Sequence, residues 1–248
     1  MKKLLIIACL LVPASSSFAQ SSIRGLPKGA VVVESRRLPI PNRALVLWML
    51  NPKKNPNGYA PDDTYTCPDY TRGSYYSGLT RVSLVNSATG VFINTLPVKG
   101  DAEETFDLPY AIRKGYYYPV ATPVRNGVET KPTIIALKDY NGDGKALEFA
   151  LFNAQACMGL DTTLIGYSQK QDRVVQYPIH LEVIEGAKHS SSDSFWADYL
   201  FNKKPTRPGF WKYEIDYRGR AGSLDKWEVR YNRAQERFEG KLIIQPGD

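Results

Sequence analysis

The sequence predicts an all-β fold of antiparallel meanders and hairpins, with at most one short helix. Three observations support this class. Apolar and polar residues alternate along many short segments, which is the period of a strand with one buried face. The 17 prolines and 19 glycines are spread along the chain and separate these segments with turn-forming residues. Apolar residues at helical spacing are scarce, although the hydrophobic content of 43% is that of an ordinary globular protein.

The first half of the chain contains four predicted strands. Segment 30–33 is rich in β-branched residues, and segment 44–50 is apolar throughout, as expected of a buried strand. Segments 81–85 and 91–98 flank the polar stretch 86–90, which ends in glycine. Two strands joined by a short loop that contains glycine form a β-hairpin.

Four more strands and one helix are predicted in the middle of the chain. The strands are expected over 133–137, 147–152, 163–167 and 173–179. The first two flank one polar turn, and the last two flank another. The helix is expected over 195–201, because residues that commonly cap helices precede it, namely Ser192, Asp193 and Ser194.

The C-terminal region predicts a three-stranded meander over 211–218, 226–231 and 238–244. Apolar and charged residues alternate along all three strands, so one face is aromatic and the other has mixed charge. The aromatic face includes Trp211, Tyr213, Trp227 and Phe238. We expect this face to pack in the core. A carbohydrate-binding platform is the functional alternative.

The first nineteen residues have the organisation of a Sec signal peptide. Two lysines precede a short apolar run, and small residues lead to a cleavage site at Ala19. We therefore predict a single all-β domain over 20–248 and a periplasmic or secreted protein without a transmembrane segment. An N-terminal membrane anchor is one alternative. A lipoprotein is another, because Cys9 follows a lipobox-like stretch.

Removal of the signal peptide lowers the formal charge from +7 to +5 and leaves two of the three cysteines, Cys67 and Cys157. Two cysteines in an oxidising compartment predict one disulfide bond between them, and two free thiols are the alternative. No nucleophile signature surrounds Cys157, so we name no catalytic residue.

The remaining excess of positive charge lies in the segment 203–241, which contains 11 basic and 6 acidic residues. A basic surface favours an anionic partner such as an envelope polymer. The charges are interleaved, however, as on the solvated face of a sheet. The chain contains no nucleic-acid-binding motif, and we expect no nucleic-acid partner.

A long irregular segment is predicted over 51–78. It is rich in proline and tyrosine and contains the acidic residues Asp62, Asp63 and Asp69 close to Cys67. Long loops without regular structure are often functional. Its carboxylates are candidates for general acid/base catalysis, and capping of turns beside proline is the alternative.

Residues 139–145 carry the most specific chemical signal in the chain. Their order, Asp-Tyr-Asn-Gly-Asp-Gly-Lys, places side-chain oxygens at Asp139, Asn141 and Asp143. Alternate side chains of a tight loop converge on one point, and Ca²⁺ takes roughly six to eight oxygen ligands at flexible geometry. We predict a Ca²⁺ site formed by these side chains, the Lys145 carbonyl and Glu148. A plain hairpin turn is the alternative.

This loop resembles those of EF-hand-type sites and of the FG-GAP/VCBS repeats of secreted β-propellers. An EF-hand would require glutamate at Ala150, and the flanking segments have strand patterns rather than helical ones. FG-GAP-type repeats usually place the next carboxylate at Leu147, one residue before Glu148. The resemblance covers a single short segment and implies a calcium-binding strand–loop–strand unit.

The same resemblance implies propeller-like blades, with one blade formed by 132–153 and 163–179. The segments 81–98 and 211–244 would belong to other blades. Three units at irregular spacing do not close a ring, so a β-sandwich or barrel is an equal alternative.

Two function classes are compatible with these patterns. The favoured one is an exported, calcium-stabilised and non-catalytic binding or envelope-associated module, because the chain shows no nucleophile–base pair and no metal-binding histidine pair. The alternative is a secreted hydrolase that uses the acidic residues of the 51–78 segment.

Overall fold

The computed structural model describes residues 23–55, 75–99, 124–125, 128–129, 133–155, 159–218 and 222–247. These residues form fifteen strands and one 3₁₀ turn, Leu200–Asn202. The strands are β1 (Ala30–Arg37), β2 (Arg43–Asn55), β3 (Tyr75–Asn86), β4 (Phe92–Pro97), β5 (Val124–Arg125), β6 (Val128–Glu129), β7 (Glu148–Gln155), β8 (Gly159–Ser168), β9 (Arg173–Gln176), β10 (Ile179–Glu185), β11 (Lys188–Ser194), β12 (Ala197–Asp198), β13 (Phe210–Asp216), β14 (Ser223–Asn232) and β15 (Arg237–Pro246).

The first sheet is an antiparallel meander in the order β1-β2-β3-β4. It confirms the two N-terminal strands and the hairpin that were predicted from the sequence. On β2, Leu45, Leu47 and Met49 face the interior of the protein, and Val46 and Trp48 are buried on the opposite face. Burial on both faces explains why segment 44–50 of this strand is apolar throughout.

The middle sheet is organised around β8. One edge of β8 pairs with β7 along its whole length. The other edge is shared, because β12 pairs near Asp161 and β9 pairs near Tyr167. Strands β5 and β6 pair with each other as a separate two-stranded sheet.

The third sheet has the order β11-β10-β15-β14-β13 and contains the predicted C-terminal meander. Its aromatic face is core, as predicted, because Trp211 and Phe238 are fully buried and Trp227 is 4% exposed. The pairing of β10 with β15 is parallel, unlike the predicted antiparallel arrangement. Parallel neighbours need a long crossover, which here includes β11 to β14.

The three sheets pack in layers, with the middle sheet buried on both faces. Phe149 and Ile165 pack against the first sheet, whereas their neighbours Ala150 and Leu164 pack against the third. Each buried large apolar side chain contributes about 1.5–3 kcal/mol relative to exposure. The described residues are all-β, as predicted, and form no closed barrel.

Three of the predicted elements are wrong in detail. Segment 133–137 is not a strand, because the Glu34 carboxylate accepts the Ile134 amide hydrogen at 2.7 Å and holds the backbone outside a sheet ladder. Segment 173–179 is interrupted at Pro178, which cannot donate to a ladder, and the chain passes there from the middle to the third sheet. Residues 51–55 and 75–78, which were predicted to be irregular, are strand, because β2 continues to Asn55 and β3 begins at Tyr75.

The predicted helix over 195–201 is also wrong. Ala197 and Asp198 instead pair with β8, and only the 3₁₀ turn follows. Tyr199 has a φ of 57°, which a right-handed helix does not accommodate. Pairing with β8 and burial of Phe201 outweigh the capping signal.

Several predictions fall outside the described residues. These are the signal peptide over 1–19, the disulfide between Cys67 and Cys157, and the acidic group Asp62, Asp63 and Asp69. The part of the chain that the structure describes contains no helix long and apolar enough to cross a membrane.

Candidate calcium loop and adjoining pocket

The predicted calcium loop is organised by the Asp139 carboxylate. Its Oδ1 accepts the amide hydrogens of Gly142 and Asp143 at 2.7 and 3.1 Å, and its Oδ2 accepts that of Gly144 at 2.9 Å. Because one side chain binds three successive amides, the backbone of the loop wraps around Asp139. Aspartate commonly bonds nearby amides in this way in turns.

The other two predicted side-chain ligands also bind backbone amides within the loop. Asn141 Oδ1 accepts from the Asp143 amide at 2.9 Å, and Asp143 Oδ1 accepts from the Lys145 amide at 2.9 Å. The Lys145 carbonyl accepts the Leu147 amide hydrogen at 3.1 Å. The loop thus has a defined conformation that the chain itself supports.

Glu148, the first residue of β7, lies against the loop and is fully buried. Its Oε1 accepts from Asn141 Nδ2 at 3.0 Å, and its Oε2 accepts from the Tyr140 amide at 3.1 Å. Gly166 on β8 makes room for it, because a Cβ there would lie 2.7 Å from the Glu148 Cγ. The structure therefore brings Glu148 to the predicted ligand Asn141.

Burial raises the pKa of Glu148 to about 8, and the charges of Asp143 and Asp139 contribute to the increase. The hydrogen bonds from Tyr140 and Asn141 favour the ionised form and oppose this increase. A buried carboxyl beside two other carboxylates is a position where a bound cation would favour the ionised form.

The chemistry of the predicted ligands suits a hard cation, because all five would bind it through an oxygen atom. A carboxylate or amide oxygen has two acceptor positions. Asn141 Oδ1 and Asp143 Oδ1 each accept one hydrogen bond and retain a second position. Among the described residues, however, no three carboxylate, histidine or cysteine side chains are grouped as a metal site.

A pocket of about 310 Å³ adjoins the loop. Three turns meet there: the calcium loop, the β8–β9 turn and the β14–β15 turn. Its lining consists of Asn141, Asp143, Lys145, Tyr167, Ser168, Gln169, Lys170, Tyr177, Tyr231, Arg233 and Glu236. The pocket thus joins residues that are far apart in the sequence.

Hydrogen bonds from Ser168 and Gln171 to Glu236 hold two of these turns together. Ser168 Oγ donates to Glu236 Oε1 at 2.6 Å, and Gln171 Nε2 donates to Oε2 at 2.8 Å. Lys145 Nζ donates to the side-chain oxygen of Gln169 and connects the calcium loop to the β8–β9 turn. The shape of the pocket therefore depends on contacts among all three turns.

Sequence reasoning did not find this pocket. Each of the three turns contains a basic residue, Lys145, Lys170 or Arg233, and this is the signal that the sequence contained. Nothing in the local pattern indicated that the turns meet.

In the described part of the basic segment 203–241, three arginines contact acidic side chains. Arg218 pairs with Asp216 at 2.7 Å, and Arg230 and Arg237 approach Glu239 at 3.3 and 3.5 Å. Acidic neighbours on the sheet therefore compensate the charges of these three arginines in part. Arg233, in the β14–β15 turn, instead lines the pocket.

Comparison of the chain with protein-family models, curated proteins and solved structures finds no match.

Proposed function

We propose that this protein is an exported, calcium-stabilised β-protein that acts as a non-catalytic binding module of the cell envelope or the secreted space. The observation that carries the proposal is the loop 139–145, whose ordered oxygens lie between buried Glu148 and a pocket formed by three turns. The N-terminal pattern supports export.

Calcium would be held by Asp139, Asn141, Asp143, the Lys145 carbonyl and Glu148. The ion would supply positive charge beside the buried Glu148 and fix the loop against the sheet. Few carboxylates contribute, so we expect the affinity typical of extracellular sites, with a Kd of about 10⁻⁴–10⁻³ M. The proposed Cys67–Cys157 disulfide would act in the same direction, by restricting the unfolded chain.

Thermal unfolding of the mature protein with calcium and with a chelator tests this proposal. At about 5 mM calcium, binding to the native state alone adds about 1–2 kcal/mol to the free energy of unfolding. For a chain of this size, the midpoint should rise by a few degrees.

Asp143→Asn is the informative variant. The asparagine oxygen still accepts the Lys145 amide hydrogen, so the turn is kept while the negative charge is lost. We expect this variant to lose most of the calcium-dependent shift. Asp216→Asn is the control, because it removes the same charge from an exposed pair elsewhere. Equal midpoints for the wild-type protein with calcium and with chelator would contradict the proposal.

A further inference from the structure

Three cationic side chains around the pocket contact only neutral acceptors. Lys145 donates to the Gln169 side chain, Lys170 donates to the Ala234 carbonyl at 3.3 Å, and Arg233 approaches the Gly142 carbonyl at 3.5 Å. In the part of the chain that the structure describes, none of the three forms an ion pair with a carboxylate. All three are exposed at the rim of the pocket.

Some other basic residues of the protein do form ion pairs. Several described arginines contact a carboxylate, namely Arg36, Arg43, Arg218, Arg230 and Arg237. The pocket therefore brings together three cations that form no ion pair among the described residues, with two carboxylates, Asp143 and Glu236, in the same lining. Because the cations outnumber the carboxylates, the lining favours a ligand that has an anionic group.

Two tyrosine hydroxyls provide an independent observation. Tyr177 lines the pocket although only 1% of its surface is exposed, and Tyr231 is half-buried beside it, with 5.9 Å between the ring centroids. Neither hydroxyl has a hydrogen-bond partner among the described residues. Neither oxygen is among the buried atoms left without a partner, and each can donate to an acceptor of a ligand in the pocket.

Burial raises the pKa of both tyrosines, so both hydroxyls stay protonated and act as donors. The charges of Glu236 and Asp143, which also line the pocket, increase the pKa of Tyr177 further. The pocket therefore offers five donor groups, counting the three cations.

The acceptors of the pocket indicate that its ligand also has hydroxyl groups. Glu236 and Asp143 contribute carboxylates to the same lining. A bare anion would be repelled by these groups, whereas sugar hydroxyls donate to carboxylates. A volume of about 310 Å³ is also larger than an inorganic anion requires and falls at the small end of ligand pockets.

We propose that this pocket binds an anionic sugar, a ring of monosaccharide size that carries a carboxylate or a phosphate group. The proposal rests on the binding function proposed above and specifies its ligand. Arg233 and the two lysines would contact the anionic group. Glu236 and Asp143 would accept from ring hydroxyls, and the tyrosine hydroxyls would donate to the remaining oxygens.

Titration calorimetry on the calcium-loaded mature protein tests this proposal with four probes: glucuronic acid, glucose 6-phosphate, glucose and inorganic phosphate. We expect one or both anionic sugars to bind at least tenfold more tightly than glucose and phosphate. Stronger binding of glucuronic acid or of glucose 6-phosphate identifies the anionic group. Equal binding of inorganic phosphate would overturn the assignment to a sugar.

The double variant Lys170→Gln/Arg233→Gln should weaken binding of the preferred probe at least tenfold. Lys212→Gln is the matched control, because Lys212 lies on β13 opposite Glu228 and outside the pocket. An equal loss in the control would show general charge attraction and overturn the site.

The calcium-dependent melting shift distinguishes the two proposals. A protein that keeps this shift but binds neither anionic sugar contradicts the pocket assignment alone. A protein without the shift contradicts the calcium-stabilised module itself.

Discussion

Gly142 and Gly144 have nearly the same backbone conformation in the calcium loop, with φ of 75° and 87°, but different surroundings. A Cβ on Gly142 would lie 2.7 Å from the carbonyl carbon of Pro208, whereas a Cβ on Gly144 would meet no atom within 4 Å. Alanine at Gly144 would therefore cost only the left-handed conformation, whereas alanine at Gly142 would also cost the close approach of the backbone.

We predict that Gly144→Ala lowers the free energy of unfolding by about 1–2 kcal/mol, which is the cost of the left-handed conformation. Gly142→Ala should cost a further 1–3 kcal/mol or so, because the backbone at Pro208 must move. Urea unfolding of both variants in chelator measures the difference. Equal losses would mean that the loop does not pack against the turn before β13.

At the scale of elements, a charged contact between Arg43 and Asp172 joins the first and middle sheets. Arg43 on β2 donates to both carboxylate oxygens of Asp172 in the β8–β9 turn, at 2.9 and 2.6 Å. The Tyr167 hydroxyl donates to the same carboxylate at 2.7 Å. These hydrogen bonds from Arg43 and Tyr167 lower the pKa of Asp172.

The direction of this pKa shift determines a pH dependence. The Asp172 carboxyl has a lower pKa in the folded protein than in the unfolded chain. Its ionised form therefore stabilises the fold fully above the ordinary pKa of 3.8, and this stabilisation is lost as the pH falls through the lowered native value. The side chain is 48% exposed, so solvent screening limits the effect to about 1 kcal/mol or less.

We therefore predict that Asp172→Asn lowers the free energy of unfolding at pH 7 and that the difference from the wild type shrinks towards pH 3. Asparagine tolerates the left-handed φ of 48° at this position, so the turn is preserved. Urea unfolding at both pH values provides the measurement. If the free energies of unfolding of variant and wild type differ more at pH 3 than at pH 7, the prediction for this ion pair is wrong.

The alternation of apolar and polar residues predicted most of the strands, because each strand presents at least one face to a layer of the core. It failed where a single long-range contact decides the local structure. Glu34 binds the Ile134 amide from a hundred residues away, and the pairing of Ala197 with β8 overrides the capping signal of 192–194. Local sequence contains neither contact.

At the scale of the whole molecule, the middle sheet connects both halves of the core and brings the three turns of the pocket together. The loop 139–145 and its neighbour Glu148 could be singled out from the sequence, because these residues lie within ten positions of one another, and calcium binding there stays a prediction. The pocket could not, because Lys145, Lys170 and Arg233 meet through the packing of two sheets. Sheet order and the parallel β10–β15 pair determine that meeting, and no periodicity encodes them.

The central claim is that Ca²⁺ binds the loop 139–145, and amide NMR during a calcium titration tests it most directly. The amides of Gly142, Asp143 and Gly144 donate to the Asp139 carboxylate, so a cation on that carboxylate must change their environment. We predict that these three signals shift saturably with a midpoint of about 10⁻⁴–10⁻³ M, and respond more weakly to Mg²⁺. Signals that stay unchanged up to about 10 mM calcium, well above that range, would contradict the claim.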